Sequence, residues 1–163
     1  MSSIKVKVTG DKRRLMKRLQ LLSDVDIRGI NKAIAEGIRT STVERFRTEK
    51  GPDGKKWRTS IRARDEGGKT LTDTSKLRTS IRSTAAMDGF AVGTNDIRAA
   101  TLQFGDERTI RPRRGPVLRF KIDGKWISAK QVHIKIEGRP FLGISEEDDK
   151  EIKNVLEAAL EEN

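Results

Sequence analysis

With 163 residues the chain has the size of one domain and enough length to bury a core, yet hydrophobic residues supply 34% against 36% charged, so much of it must be surface, arm or loop. Lys plus Arg exceed Asp plus Glu by 35 − 24, a net +11; residues 146–163 hold eight acids against two lysines, or −6, which leaves +17 on the first 145. Such a balance points to acidic partners, whether nucleic acid, anionic membrane or an acidic protein face, while the absence of cysteine excludes a disulfide framework and a thiolate metal site.

In chain order, Ile4, Val6 and Val8 alternate with Lys5 and Lys7, the period of a half-buried strand. MSSIKVKVTG lacks the apolar stretch of a signal peptide, and no run approaches the ~20 apolar residues of a membrane span, so a soluble protein made in the cytoplasm is expected. Asp11 offers an N-cap for a short helix with Leu15, Leu19 and Leu22 on one face. A longer helix over about 25–47, capped by Ser23 or Asp24, carries Ile27, Ile30, Ile34, Ile38 and Phe46 on its apolar side. Arg28, Lys32, Glu36, Arg39 and Arg45 then form its solvated side.

Residues 49–70 are rich in Gly and charge and read as an exposed connection. Leu77–Ala85 and Phe90–Gly93 read as short strands joined near Asp88-Gly89, and residues 96–104 as a short helix or an irregular strand. RTIRPRRGP at 108–116 crowds four arginines with two prolines, which remove backbone donors and bar the segment from a sheet interior. Leu118, Phe120 and Ile122 alternate beyond it, Asp123-Gly124 signals a turn, and Trp126 begins the return. A basic hairpin arm over 106–137 follows, expected to be mobile in the free subunit and ordered on assembly, because an isolated two-stranded hairpin is marginal in water. Ser145 with Asp148 resembles a capping box, four acids suit the helix dipole, and Ile152, Val155, Leu156, Ala159 and Leu160 form one stripe of a C-terminal helix. The fold class is α+β: a single small domain over 1–163, its β-sheet packed by the long helix and the C-terminal helix, with the basic β-hairpin arm.

His133 is the sole histidine, there is no Gly-rich phosphate loop, and no nucleophile lies beside a base in the pattern of a catalytic site, so neither enzyme activity nor a metal or cofactor is expected. Arg108, Arg111, Arg113 and Arg114 can neutralise phosphates, but zinc spacing, stacking aromatics of the RNA-binding kind and basic heptads are missing. Nonspecific nucleic-acid binding is the rival reading. Candidate interaction residues are these four arginines with Trp57, Phe120 and Trp126, Trp57 standing between core packing and an intersubunit contact.

Four blocks carry a resemblance: GPDGKKW at 51–57, LTDTSKLRTSI at 71–81, AVGTNDIRAATLQFG at 91–105 and GRPFLGIS at 138–145. In this order and spacing they resemble the phage virion morphogenesis family of tail-completion proteins of Mu-like phages and prophages. Departures lie at Ser75-Lys76, where the family usually has Gly-Arg, at Arg98, where it has tyrosine, and at Leu102, where it has histidine. The resemblance implies a tail-completion, tail-terminator or head–tail joining protein in the tail or neck of a virion assembled in the host cytoplasm. It implies a ring at the head-proximal end of the tail, in sixfold symmetry, with tail-tube and head–tail connector proteins as neighbours and no membrane or small-molecule substrate.

Overall fold

The structure is a computed structural model and describes residues 4–6, 26–122 and 124–161. The expected helix with Leu15, Leu19 and Leu22, and Val8, Ser23 and Asp24, lie outside the described residues. Strand β1 (Ile4–Val6) pairs antiparallel with β3 (Gly89–Thr94), which pairs on its other side with β2 (Arg82–Ala86), giving a three-stranded sheet in the order β1-β3-β2. Met87-Asp88 turn the β2–β3 hairpin, as the Asp88-Gly89 signal predicts. The first strand of that hairpin begins later than its apolar pattern suggests, because Leu77 belongs to a short helix α3 (Lys76–Thr79), where its side chain is buried. Helix α2 (Ile61–Asp65), capped by Ser60, breaks up the predicted 49–70 connection.

Helix α1 (Ile27–Thr48) starts at Asp26, whose carboxylate accepts from Gly29 N at 2.8 Å. Its buried positions Ile27, Asn31, Ile34, Ile38, Thr42, Arg45 and Phe46 recur every three or four residues, so they form one stripe. That stripe lies across β2 and β3, and Asn31 donates from Nδ2 to the Ala86 carbonyl, 2.7 Å, tying the helix to the end of β2. Helix α5 (Glu146–Glu161) packs chiefly on α1, which corrects the expectation that both helices cover the sheet directly. The expected capping box is present and reciprocal: Ser145 N donates to Asp148 Oδ2 at 2.8 Å and Asp148 N to Ser145 Oγ at 3.1 Å. Ile152 and Leu156 enter the core with Val155 packed beside them.

Arg45 overturns its placement on the solvated side. It is 5% exposed and its guanidinium meets Asp148 at 2.5 Å, linking α1 to the first turn of α5. Two further bonds of 3.0 Å run from Nη1 to the carbonyls of Phe141 and Gly143, so the buried charge is solvated by protein. Burial pushes the guanidinium pKa below its usual range, and Asp148 opposes that shift.

Candidate functional site

From the body rises an arm, and the four sequence blocks meet at its root. In GPDGKKW the turn closes through Gly54 N to the Gly51 carbonyl, 3.0 Å, and the chain returns through a Lys50–Lys56 bridge to deliver Trp57 inward. Trp57 is buried, stacks edge-on to Phe46 with centroids 5.6 Å apart, and donates from Nε1 to the Pro140 carbonyl at 2.9 Å. Of the two readings left open for Trp57, the core is where it sits.

From the third block, Gln103 of helix α4 (Ala99–Phe104) reads the fourth: Oε1 accepts from Phe141 N and Leu142 N, both 3.0 Å, and Nε2 donates to the Leu142 carbonyl at 2.9 Å. Phe141 and Leu142 are thereby pinned into the core. The two legs of the arm leave the body in direct backbone contact. A Cβ on Gly105 would lie 2.7 Å from the Ile136 carbonyl oxygen, and one on Gly138 would lie 2.8 Å from the carbonyl carbon of Phe104. Only glycines allow that approach, which Arg139 N closes with a 2.7 Å bond to the Leu102 carbonyl.

Beyond the root, β4 (Asp106–Ile110) pairs with β7 (Val132–Ile136), and β5 (Leu118–Ile122) with β6 (Lys125–Ala129), two antiparallel ribbons in succession. The expected hairpin arm is therefore present, with RTIRPRRGP partly in an edge ladder: Arg108, Thr109 and Ile110 are paired, and the bend at 113–116 is free of strand. Directly opposed residues share a face of a ribbon. In the root ribbon Ile110, Val132, Ile134 and Ile136 share the half-buried face, and Glu107, Thr109, His133 and Lys135 the exposed one. His133 Nε2 lies 3.1 Å from Glu107 Oε1 and Lys135 Nζ 3.6 Å from Oε2; these contacts, the His133 hydrogen bond first, hold the Glu107 carboxyl below its usual range.

In the tip ribbon the register sets Phe120 opposite Ile127 and Lys121 opposite Trp126. One face thus carries Leu118, Phe120, Ile122, Lys125, Ile127 and Ala129, and the other Arg119, Lys121, Trp126 and Ser128. Phe120 and Trp126, expected to be held by one partner surface, point to opposite sides, because six positions separate them across a turn that resets the alternation. Trp126 is 74% exposed; Phe120 is half-buried.

Of the four candidate arginines, Arg108 pairs with Asp106 at 3.2 Å and Arg111 donates to Gln131 Oε1 at 3.3 Å. Arg113 and Arg114 are exposed and form no ion pair among the described residues, and the same holds for Arg119, Lys121, Lys125 and Lys130. Sequence reasoning missed a groove of about 600 Å³ at the arm's root, lined in part by Arg62, Leu71, Leu102, Arg108 and Ile136, with Ile97 exposed at its edge. Its residues come from five separate segments, so no local pattern signals it.

The arrangement is an α+β body that grips the root of a cation-rich β arm. The chain belongs to the phage virion morphogenesis family, whose model matches residues 9–161, and its role is in phage virion assembly. No curated protein and no solved structure matches it.

Proposed function

We propose that this chain is a structural protein of the phage tail, acting without catalysis as a tail-completion, tail-terminator or head–tail joining protein. It assembles as a ring, with six copies as the working number, at the head-proximal end of the tail, and its neighbours are tail-tube and connector proteins. The observation that carries this reading is the arm. Seven cations there, Arg111, Arg113, Arg114, Arg119, Lys121, Lys125 and Lys130, have no carboxylate partner among the described residues, and Trp126 stands in solvent beside them. Unpaired charge with an exposed aromatic is a surface made for a partner.

Mass spectrometry of purified particles, with electron microscopy of lysates from a deletion strain, tests it. The protein is expected in particles, and its loss should leave tails and heads unjoined or tails of irregular end structure. The second reading, nonspecific nucleic-acid binding, draws on the same free cations. A dedicated binder would hold duplex DNA with a Kd of about micromolar or tighter at physiological salt, falling steeply as salt rises. Weaker, sequence-indifferent binding is expected here, and a tight selective complex would overturn the assembly reading.

A further inference from the structure

The free cations of the arm have a counterpart on the same chain. Helix α5 carries seven acids against Lys150 and Lys153, a net of −5, and the arm over 106–137 carries nine bases against four acids, a net of +5. Among the described residues Glu146, Glu147, Glu151, Glu157 and Glu161 form no ion pair, whereas Asp148 is spent on Arg45 and Asp149 on Lys153. Within one chain, then, neither set neutralises the other.

The two surfaces also match in polarity. Beside Glu151, the seam between α1 and α5 is nearly closed, a gap of about 10 Å³ with Ala33, Gly37 and Val155 among its lining residues. Their small side chains form a low surface across which a flat apolar group from outside can lie without entering the seam. On the arm, the tip face that carries Arg119 and Lys121 also carries Trp126. An indole flanked by cations faces a small-residue surface flanked by carboxylates.

We propose that the tip of one copy's arm lies across the α1–α5 seam of the next copy, Trp126 over Ala33 and Gly37 and Arg119 and Lys121 against Glu147 and Glu151. The contact joins two different surfaces of identical chains, so it is head-to-tail, the kind of contact that closes a ring when its rotation divides a full turn. This rests on the reading that the protein works by self-assembly, and it names the surfaces. It also accounts for how copies of net charge +11 tolerate one another, since each contact sets a basic arm on an acidic helix.

Charge exchange in the full-length protein tests the contact. One variant carries Arg119→Glu with Lys121→Glu, the other Glu147→Lys with Glu151→Lys; all four positions are exposed, and circular dichroism checks the fold. In sedimentation at low salt each variant alone should self-associate roughly tenfold more weakly than the parent, or worse. An equimolar mixture should recover assembly, because each reversed, acidic arm can then meet a reversed, basic helix, and each unreversed arm an unreversed helix. Failure of the mixture to recover, or parent-like assembly of the helix variant alone, overturns the proposal. An arm variant that assembles normally but loses affinity for duplex DNA overturns it in favour of a nucleic-acid role. A parent protein that is monomeric at every concentration overturns it too, while its presence or absence in purified particles separately decides the tail reading.

Discussion

The chain writes nearly the same phrase twice, Asp53-Gly54-Lys55-Lys56-Trp57 in the body and Asp123-Gly124-Lys125-Trp126 in the arm. Both glycines take the left-handed conformation, φ 74° and 78°, and both tryptophans follow on the return. Yet Trp57 is 6% exposed and Trp126 74%. Local sequence fixes the turn in each case, and only what waits on the far side decides burial: Phe46 and the Pro140 carbonyl meet Trp57, and no described residue covers Trp126 to that degree. The lesson is that a motif states a conformation, and the rest of the chain assigns its use.

The strongest way to break this comparison is to truncate both rings. Trp57→Ala should cost about 3–5 kcal/mol in urea denaturation, because it empties a core site and orphans the Pro140 carbonyl. Trp126→Ala should stay within about 0.5 kcal/mol while weakening self-association. Hydrogen exchange sharpens the same contrast: α1 should be protected at the level of global unfolding, and 106–137 should exchange quickly in the free subunit and slowly after assembly. Equal protection of both in the free subunit would make the arm part of the core.

Next in size is the ion pair that the arm has no equal to. Removing Arg45 strands Asp148 under α1 and frees two carbonyls, so Arg45→Ala should lose about 3 kcal/mol. Replacing both members, Arg45→Met with Asp148→Leu, should recover much of that loss. A loss under 1 kcal/mol for the single variant, measured by denaturation, would mean that water reaches the pair.

At the boundary between body and arm, Gly138→Ala should cost about 1–3 kcal/mol, since the added methyl meets backbone that cannot yield as a side chain would. Its assembly defect should exceed its loss of stability, because the arm's direction is set there. A variant with parent stability and assembly would show the legs to be free to separate.

A smaller effect lies in acid. The Glu107 carboxyl is held below its usual range, so its contribution is present above the unfolded Glu value of about 4.3 and is lost as pH falls through the lower folded one. In an NMR titration the Glu107 side-chain and neighbouring amide signals should therefore change below about pH 4. Glu107→Gln should remove that change; its persistence would assign it to another carboxylate.

Much of the body was legible because it is written in short-range code. The period of the Ile27 to Ile38 stripe, the Ser145–Asp148 reciprocity and the glycine turns each fall within one or two turns of chain. What hid was whatever needed two elements at once. Arg45 lies seven residues after Ile38 and three after Thr42, squarely on the stripe, and its charge argued it outward; only α5 arriving with Asp148 makes a buried cation tolerable. The helical position was the better guide than the charge. Of the candidate site, the arm and its arginines could be read from Pro and Arg density, whereas the faces of Phe120 and Trp126 depended on a register that no composition supplies.

Body and arm differ last in how they spend left-handed backbone. In the arm the described residues with positive φ are Gly115 and Gly124, for which that conformation costs little. Among its described residues the body holds three with side chains there, Glu49, Leu71 and Ser75, at φ 56°, 61° and 56°. Two of them have a reason to stay: Glu49 accepts from Thr70 N at 2.7 Å, and Leu71 packs on the core. Ser75 has less, since its hydroxyl meets only Arg78 at 3.5 Å and caps nothing in α3. The family pattern that this chain resembles usually has glycine at that point. Relief of left-handed strain, of order 1–2 kcal/mol, then exceeds the added freedom of glycine in the unfolded chain, of order 0.4–1 kcal/mol. Ser75→Gly is therefore expected to stabilise the protein by up to about 1 kcal/mol, and Leu71→Gly to destabilise it, because the lost side-chain burial outweighs the same relief. Urea denaturation of the two variants side by side reads the signs. Stabilisation by both would show that Leu71 contributes no packing, and destabilisation by both would show that the backbone at Ser75 is not strained.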